Sequence, residues 1–266
     1  DMLKAGMSFD GSSAHKALRY ITVSGGDMPL RQLERLPEMT GGAGIFKTYG
    51  QTEAFRATAL RPHEFLSKQA SVGRPFGGAR IYVVREDGSR CGPGEEGEIV
   101  HAGLGSMIGY LDGHDPQRKA RANPFLERAG DPPTAIFTGD LGCLDEDGYL
   151  YVHGRRDEML KVAGNRVYPA EIAGQLLEIA GTAAAEIVGV KDREGRTCLF
   201  AFVVLAAGAT LAPVEIRRRM SGRVPPYMLP AEVVILPVMP RTASGKPDRP
   251  ALTEKAGKLL EGGVGC

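Results

Sequence analysis

The sequence predicts a fold of mixed class: part of a large α/β domain, then a β-rich subdomain, then a small α+β domain. Three observations predict it. In residues 1–70, short apolar strands end in glycine-rich turns that lead into helices, which is typical of α/β proteins. Residues 71–155 alternate short strands with turn residues, and residues 156–266 mix helical periodicity with β-rich runs. At roughly 150 residues per domain, this length corresponds to about two domains.

The α/β part is expected to alternate strands with helices. Its predicted elements are a helix end running into a strand over 14–23, a turn at 24–26, a helix near Pro29, a strand over 45–48, and a helix start at 51–53 after the turn Tyr49-Gly50.

The β-rich part is expected to be mostly antiparallel. Its predicted strands cover 80–85, 98–102 and 149–153, and its turns are Asp87-Gly88, Gly92-Pro93-Gly94 and Asp147-Gly148. Residues 92–97 also match the G-x-G-x-x-G pattern of dinucleotide-binding proteins, but that pattern must follow a strand and open a helix. Here it precedes a strand and contains two glutamates, so the interpretation is a hairpin turn.

The C-terminal part is expected to form an α+β domain. Its predicted elements are a helix from Pro169 with Ile172, Leu176 and Ile179 on one face, β-rich runs over 186–191 and 197–205, a helix over 213–220, a strand over 232–236 and a last helix from Asp248.

Composition excludes several classes of function. Lys and Arg total 33 against 32 Asp and Glu, so the net charge of +1 gives no general field for nucleic acid or an anionic membrane. The most apolar run, residues 198–207, is about half of the roughly 20 residues that span a bilayer. The four cysteines show no zinc or disulfide spacing, and no signal peptide is evident, so we expect reduced thiols and a cytoplasmic protein. The Asp1 start suggests a piece of a longer chain.

Four segments carry polar groups that a packed core does not need. Residues 48–53 (TYGQTE) place two hydrogen-bonding side chains and a carboxylate after a glycine turn, where a helix start could receive phosphate. In isolation, the favoured interpretation is that Thr52 caps a helix and Glu53 pairs with its dipole. Residues 137–140 (FTGD) offer a carboxylate for a ribose diol, or an Asx turn.

The other two segments are charged. Residues 154–158 (GRRDE) form a charged cluster where the β-rich pattern ends and the mixed helical and β pattern begins. The default interpretation of such a cluster is a solvated linker. Residues 240–249 (PRTASGKPDR) form a loop that carries Lys246. Most such lysines are only surface charge, but one that is delivered to developing negative charge in a dry site can be catalytic.

Together and in this order, these segments resemble the adenylate-forming superfamily of acyl-CoA synthetases, carrier-protein adenylation domains and luciferases. The resemblance is carried by six collinear segments: SGGDMPL (24–30), YGQTE (49–53), SVGRP (71–75), GEIVHAG with GYL (97–103 and 109–111), the stretch 137–172, and PRTASGKPDR (240–249). It implies ATP-dependent activation of a carboxylic acid to an acyl-adenylate, followed by transfer to a thiol.

The resemblance also implies site residues. Thr52 would bind the α-phosphate, Glu53 would bind Mg²⁺, and Lys246 would bridge the attacking carboxylate and the α-phosphate. The remaining nucleotide-binding positions would be Gly25, Gly26, Thr48, Tyr49, Gly50, Gln51, Asp140 and Arg155. A mobile C-terminal domain, residues 156–266 after a core of 1–155, would swing about a hinge at Asp157 and bring Gly164 to the thiol path.

The chain departs from the family pattern in two ways. The phosphate loop that belongs upstream of SGGDMPL is absent, so we expect a C-terminal fragment that is inactive alone. Ala173 stands where the family usually has a second acid. Val167-Tyr168-Pro169 favours the acyl- or aryl-CoA synthetases, with CoA as the thiol. The alternatives are an enzyme that loads the phosphopantetheine of a carrier protein and a noncatalytic nucleotide-binding or interaction module.

Overall fold

The computed structural model describes residues 17–24, 28, 30–111, 113, 118–126, 130–243 and 245–263, and it describes Arg31 through its backbone alone. The chain divides into two compact units, Asp1–Asp157 and Glu158–Cys266. The first combines an α/β part with a β-rich part and the second is α+β, which confirms the predicted fold class. The predicted helix end at 14–16, Gly25, Gly26 and Pro29 lie outside the described residues.

The described residues of the α/β part of the first unit form four strands and two helices. They are β1 (Tyr20–Val23), α1 (Leu30–Met39), β2 (Gly44–Tyr49), β3 (Thr58–Leu60), α2 (Pro62–Phe65) and β4 (Arg74–Pro75). The sheet order is β1-β2-β3-β4; β1 and β2 are parallel and the other pairs are antiparallel. The apolar face of α1, with Leu33 and Leu36, packs in one core with Ile45, Leu60 and Phe65.

The β-rich part is an antiparallel sheet, as predicted. Its strands are β5 (Ala79–Val84), β6 (Gly97–Gly103), β7 (Ala120–Ala122), β8 (Thr134–Leu144) and β9 (Leu150–Arg155). The sheet thus contains β7 and β8 in addition to the three predicted strands. The order is β5-β6-β8-β7, and β9 also pairs with β8. Gly88 and Gly148 have φ of 82° and 78°, the left-handed conformation that the predicted turns need. The G-x-G-x-x-G segment leads into β6 and opens no helix.

The second unit is built on a three-stranded sheet covered by helices. Its elements are β10 (Leu160–Val162), β11 (Asn165–Val167), α3 (Pro169–Leu177), β12 (Thr182–Lys191), β13 (Thr197–Leu205), α4 (Pro213–Met220), β14 (Glu232–Ile235) and α5 (Arg249–Glu261). The sheet order is β12-β13-β14, antiparallel and then parallel. Short 3₁₀ turns occupy Arg156–Glu158 and Pro226–Met228.

The central strand β13 is buried on both faces. Leu199, Ala201 and Val203 join a core with residues of α3 and α4, whereas Phe200 and Phe202 join a second core with residues of α5. This alternation explains why the segment is almost continuously apolar in the sequence. In the described part of the chain, no helix is long and apolar enough to cross a membrane.

Two of the four cysteines, Cys91 and Cys143, are free thiols, as the expectation of reduced thiols requires. Cys198 is buried in β13, and Cys266 lies outside the described residues.

Candidate active site

Asp140 lies on β8 in a backbone conformation that its neighbours fix. Gly139 has φ of 74°, and its N–H donates to Glu98 Oε1 at 3.1 Å. The hydroxyl of Thr138 donates to the carbonyl of Ile99 at 2.7 Å and accepts from the Asp140 N–H at 3.1 Å. These hydrogen bonds involve the backbone of residues 139 and 140 and leave the Asp140 carboxylate available to other elements.

Three side chains converge on that carboxylate. The Tyr49 hydroxyl and Gln51 Nε2 each donate to Asp140 Oδ2 at 2.6 Å, and Arg155 Nη1 lies 3.4 Å from Oδ1. The Asp140 side chain is 10% exposed. Burial, and then the negative charge of Asp140, raise the pKa of Tyr49 far above its usual range, so the phenol remains a donor. The structure therefore brings together four of the predicted nucleotide-binding residues.

Gln51 connects Asp140 to Lys119, which in turn contacts the Glu53 carboxylate. Its Nε2 also donates to the Thr138 carbonyl at 3.0 Å, and its Oε1 accepts from Lys119 Nζ at 3.3 Å. The two carbonyl or carboxylate acceptors and the one ammonium donor are compatible with a single orientation of the amide. Gln51 is therefore a fixed bridge between the Asp140 group and Lys119.

Glu53 is held by a cation and a phenol. Lys119 Nζ lies 2.8 Å from Glu53 Oε1, and the Tyr110 hydroxyl donates to the same oxygen at 2.7 Å. Burial alone would raise the pKa of Glu53, but the hydrogen bonds from Lys119 and Tyr110 outweigh it and hold the pKa below its usual value. Glu53 is therefore an anionic oxygen donor, and its neighbour Thr52 is exposed.

No helix begins at residues 51–53, so that prediction was wrong. Gln51 and Ala54 exchange backbone hydrogen bonds of 2.9 and 3.2 Å, and Ala54 forms a β-bridge with Ser106. A Cβ on Gly50 would lie 2.6 Å from Arg56 N and 2.8 Å from Ala54 O. Gly50 thus lets the chain fold back on itself, and helix-start phosphate binding does not apply to this loop.

Arg155 joins Asp140 to the end of the first unit. Its Nε and Nη2 donate to the two oxygens of Asp157 at 2.9 and 3.1 Å. This hydrogen bonding lowers the pKa of Asp157. The adjacent Arg156 pairs with Glu98 at 3.2 Å. The predicted hinge residue therefore carries a bidentate ion pair beside the boundary between the two units.

The second unit holds the other two predicted residues. Lys246 is exposed in a loop closed by the Thr242 N–H, which donates to the Lys246 carbonyl at 2.8 Å. Gly164 is exposed in the two-residue turn between β10 and β11, where Ala163 and Gly164 have φ of 46° and 82°. In the first unit, Thr48 lies in β2 opposite Ala59.

Family models match both parts of the chain. The model described as AMP-binding enzyme matches residues 2–111, and the model described as AMP-binding enzyme C-terminal domain matches residues 171–246. The chain belongs to the AMP-binding enzyme family. This AMP-binding enzyme chain is 34% identical over 229 residues to a 2-succinylbenzoate–CoA ligase of Geobacillus kaustophilus, a match that covers 86% of the chain and 44% of that relative.

Other relatives of this AMP-binding enzyme chain extend the comparison. Bacitracin synthase 3 of Bacillus licheniformis is 32% identical over 250 residues, covering 92% of the chain and 4% of that protein. The structure of o-succinylbenzoate CoA synthetase from Bacillus subtilis with the acyl-adenylate OSB-AMP has a TM-score of 0.75 at 30% identity, covering 94% and 48% of the two chains. The structure of the same synthetase with ATP and a magnesium ion has a TM-score of 0.72 at 32% sequence identity. The match covers 88% of this chain and 46% of the synthetase. The chain spans about half the length of the curated ligases it matches.

The sequence did not predict two residues of the candidate site. Tyr110 lies in the quoted GYL segment, but its pairing with Glu53 was not foreseen. Lys119 belongs to no quoted segment, and it is 66 residues from Glu53 in the sequence. Only the pairing of β7 with β8 places it beside the Glu53 loop, so nothing in the sequence pattern marks it.

Proposed function

We propose that this chain takes part in the ATP-dependent, AMP-forming activation of a carboxylic acid and the transfer of the acyl group to a thiol. The acid would attack the α-phosphate of ATP, giving an acyl-adenylate and pyrophosphate. The thiol would then attack the acyl carbon and release AMP. Two findings support this proposal: the 34% sequence identity to a 2-succinylbenzoate–CoA ligase, and the match to the AMP-binding enzyme family model.

The main observation that supports the proposal is the set of hydrogen bonds that orients the Asp140 carboxylate. It is anchored by Tyr49, Gln51 and Arg155, and one of its oxygens, Oδ1, takes only the 3.4 Å contact from Arg155 among the hydrogen bonds above. A carboxylate offers about four acceptor positions, and three of them are taken. The remaining position of Oδ1 can accept from one ribose hydroxyl, and the second hydroxyl can replace the long contact from Arg155. The anchors fix its direction before the ligand arrives, which lowers the ordering cost of binding.

Glu53 fits a role as the protein ligand of Mg²⁺. It is an anionic oxygen donor, and Mg²⁺ in nucleotide sites is commonly held by one or two carboxylates together with substrate phosphates. Within the described ranges, no group of three or more His, Cys, Asp and Glu could hold a metal without substrate. The bound ion would neutralise charge on the phosphates. Thr52, exposed beside Glu53, would donate to the α-phosphate.

Three further residues would act in the two half-reactions. Lys246 and Gly164 belong to the second unit, and Asp157 is the last residue of the first. Lys246 is an exposed cation that could stand between the acid and the α-phosphate, where it would offset their repulsion. Asp157 lies beside the boundary of the units, where a change of φ and ψ would reorient one unit against the other. Gly164, at an exposed turn, would then lie along the path of the thiol.

The favoured thiol is CoA, with an aryl or acyl acid as substrate, because the relative at 34% identity is a CoA ligase. A second candidate is the phosphopantetheine of a carrier protein, which the match to bacitracin synthase 3 supports.

The test is ATP–pyrophosphate exchange by the protein that carries this chain, with a panel of carboxylic acids that includes 2-succinylbenzoate. We expect exchange with one acid class and thioester formation with CoA alone. Exchange that yields a thioester only with a carrier protein would favour the second candidate. An absence of exchange with every acid would contradict acid activation.

A further inference from the structure

A thiol, an imidazole and a carboxylate form a chain of contacts on the β-rich sheet. Cys143 Sγ lies 3.7 Å from His153 Nε2, and His153 Nδ1 lies 2.7 Å from Glu96 Oε2. These three residues are not among those proposed to bind the nucleotide or Mg²⁺. We call these residues the Cys143 relay.

A β-bulge places the imidazole. In the pairing of β8 with β9, Leu141 stands opposite Gly154 and Gly142 stands opposite Val152, so His153 is the extra residue of β9. Bulges redirect side chains and are common beside functional sites. Glu96 comes immediately before β6, whose Gly97 pairs with Gly142 of β8. Three neighbouring strands therefore contribute to the relay.

The carboxylate determines the direction of the hydrogen bonds. An ionised carboxylate only accepts, so in the neutral ring Nδ1 carries the proton and donates to Glu96. The lone pair of Nε2 then faces Cys143 and accepts from the thiol. This is the arrangement in which an imidazole acts as the base for a cysteine nucleophile while a third group orients it. His153 and Glu96 are 35% and 26% exposed, and Cys143 is partly exposed, so a small reagent can reach the relay.

We propose that Cys143 is a nucleophilic thiol that reacts with small disulfides at a rate set by His153 and Glu96. The sulfur attacks one sulfur of R–S–S–R, a new S–S bond forms, and the R–S–S–R bond breaks. His153 Nε2 takes the thiol proton and gives it to the departing thiolate. The products are the mixed disulfide Cys143–S–S–R and R–SH. Glu96 stabilises the intermediate imidazolium.

The surroundings of Cys143 disfavour ionisation of its thiol before a reagent binds. Burial first, and then the negative charges of Glu96 and Asp145, raise the pKa of the Cys143 thiol. The proton must therefore leave during the attack rather than before it. The reaction depends on the neighbouring base and not on an acidic thiol.

Cys91, in the segment between β5 and β6, is a matched control. It is also a free, partly exposed thiol, and burial likewise raises its pKa. Its Sγ lies 3.6 Å from the backbone carbonyl of Glu96, which accepts a hydrogen bond but takes no proton. Both cysteines are partly buried near carboxylates, although Cys91 also lies near Arg85, whose charge lowers its pKa. The main difference between them is that only Cys143 contacts a base.

The experiment treats the whole chain with the neutral disulfide 4,4′-dithiodipyridine, follows the released thiopyridone, and assigns each label by peptide mass spectrometry. We expect Cys143 to react at least about 10-fold faster than Cys91 at pH 7. His153→Gln should lower the Cys143 rate to that of Cys91, and Glu96→Gln should lower it partway. A Cys143 rate no greater than that of Cys91, or one unchanged in His153→Gln, would overturn the proposal.

The unmodified chain provides a second measurement that needs no variant. An unassisted thiol reacts through its thiolate, so its rate rises about tenfold per pH unit below its pKa. Between pH 7 and 8 we expect Cys91 to follow that slope and Cys143 to rise less steeply, because its proton goes to the imidazole. Equal slopes for the two cysteines would contradict the relay even if a variant failed to fold.

Discussion

Lys119 Nζ lies 2.8 Å from Glu53 Oε1, and the two side chains are 10% and 14% exposed. This ion pair joins the loop after β2 to the residue that precedes β7, and the same ammonium lies 3.3 Å from Gln51 Oε1. The pair keeps Glu53 ionised within a largely buried site. It also means that a cation already lies beside the carboxylate proposed to bind Mg²⁺.

Lys119→Met should destabilise the first unit, because it leaves the Glu53 carboxylate buried without its cation. We expect the free energy of unfolding in urea to fall by about 1–3 kcal/mol. Adding Glu53→Gln should restore part of the loss, since the uncompensated charge is then gone. Lys258→Met, which removes an exposed ion pair with Glu254, is the control and should change little. Equal effects of the two lysine variants would contradict a structural role for the pair.

Tyr49→Phe should weaken adenylate binding while preserving the fold. It removes the 2.6 Å hydrogen bond to Asp140 but keeps the ring. One hydrogen bond to a charged group corresponds to about 1.5–3 kcal/mol, so the Kd for AMP should rise roughly 10- to 100-fold. Tyr151→Phe loses a comparable bond, to Asp145 at 3.2 Å, and is the matched control. Titration calorimetry measures both; a Kd that is unchanged in Tyr49→Phe would remove Tyr49 from the site.

Much of the fold could be predicted because local chemistry determines it. Pro213 opens α4 at the expected residue, the Asp248 carboxylate accepts from Ala251 N at 3.1 Å at the start of α5, and glycines form the predicted hairpin turns. These features depend on neighbours in sequence, where propensity and turn geometry act.

The features that were not predicted depend on distant residues. The loop at 51–54 has the polar residues of a helix start, but Ala54 pairs with Ser106 and the backbone turns back instead. Gln51 reaches Asp140 across 89 residues, and Lys119 joins them through a strand pairing. Sequence motifs predict Asp140 and Gln51 as site residues, but only the three-dimensional structure shows what they contact.

Lys246→Ala should abolish most pyrophosphate exchange and leave thioester formation from a supplied acyl-adenylate nearly intact. The lysine opposes the repulsion between the acid and the α-phosphate, and that repulsion exists only in the first half-reaction. Lys255→Ala on α5 is the control for loss of a surface charge. If both half-reactions fall equally in Lys246→Ala, the lysine has another role.

Asp157→Pro should slow thioester formation more than adenylate formation, because proline fixes φ at the proposed hinge. Asp157→Asn keeps the backbone free and removes only the charge that pairs with Arg155. It should therefore affect the two half-reactions alike. Rapid-quench measurement of each half-reaction distinguishes the variants, and unchanged thioester formation in Asp157→Pro would exclude a hinge at this residue.

The central claim is that the Asp140 carboxylate, oriented by Tyr49, Gln51 and Arg155, binds the ribose of an adenylate. Isothermal titration with a nonhydrolysable acyl-adenylate mimic tests it most directly, using the chain, Asp140→Asn and Asp145→Asn. Asp145 is a matched control because it lies at the far end of the same hairpin and pairs with Lys68. We predict binding by the chain and by Asp145→Asn, with affinity at least about 10-fold lower in Asp140→Asn. Equal affinity in Asp140→Asn, or an absence of binding by the chain, would contradict the account.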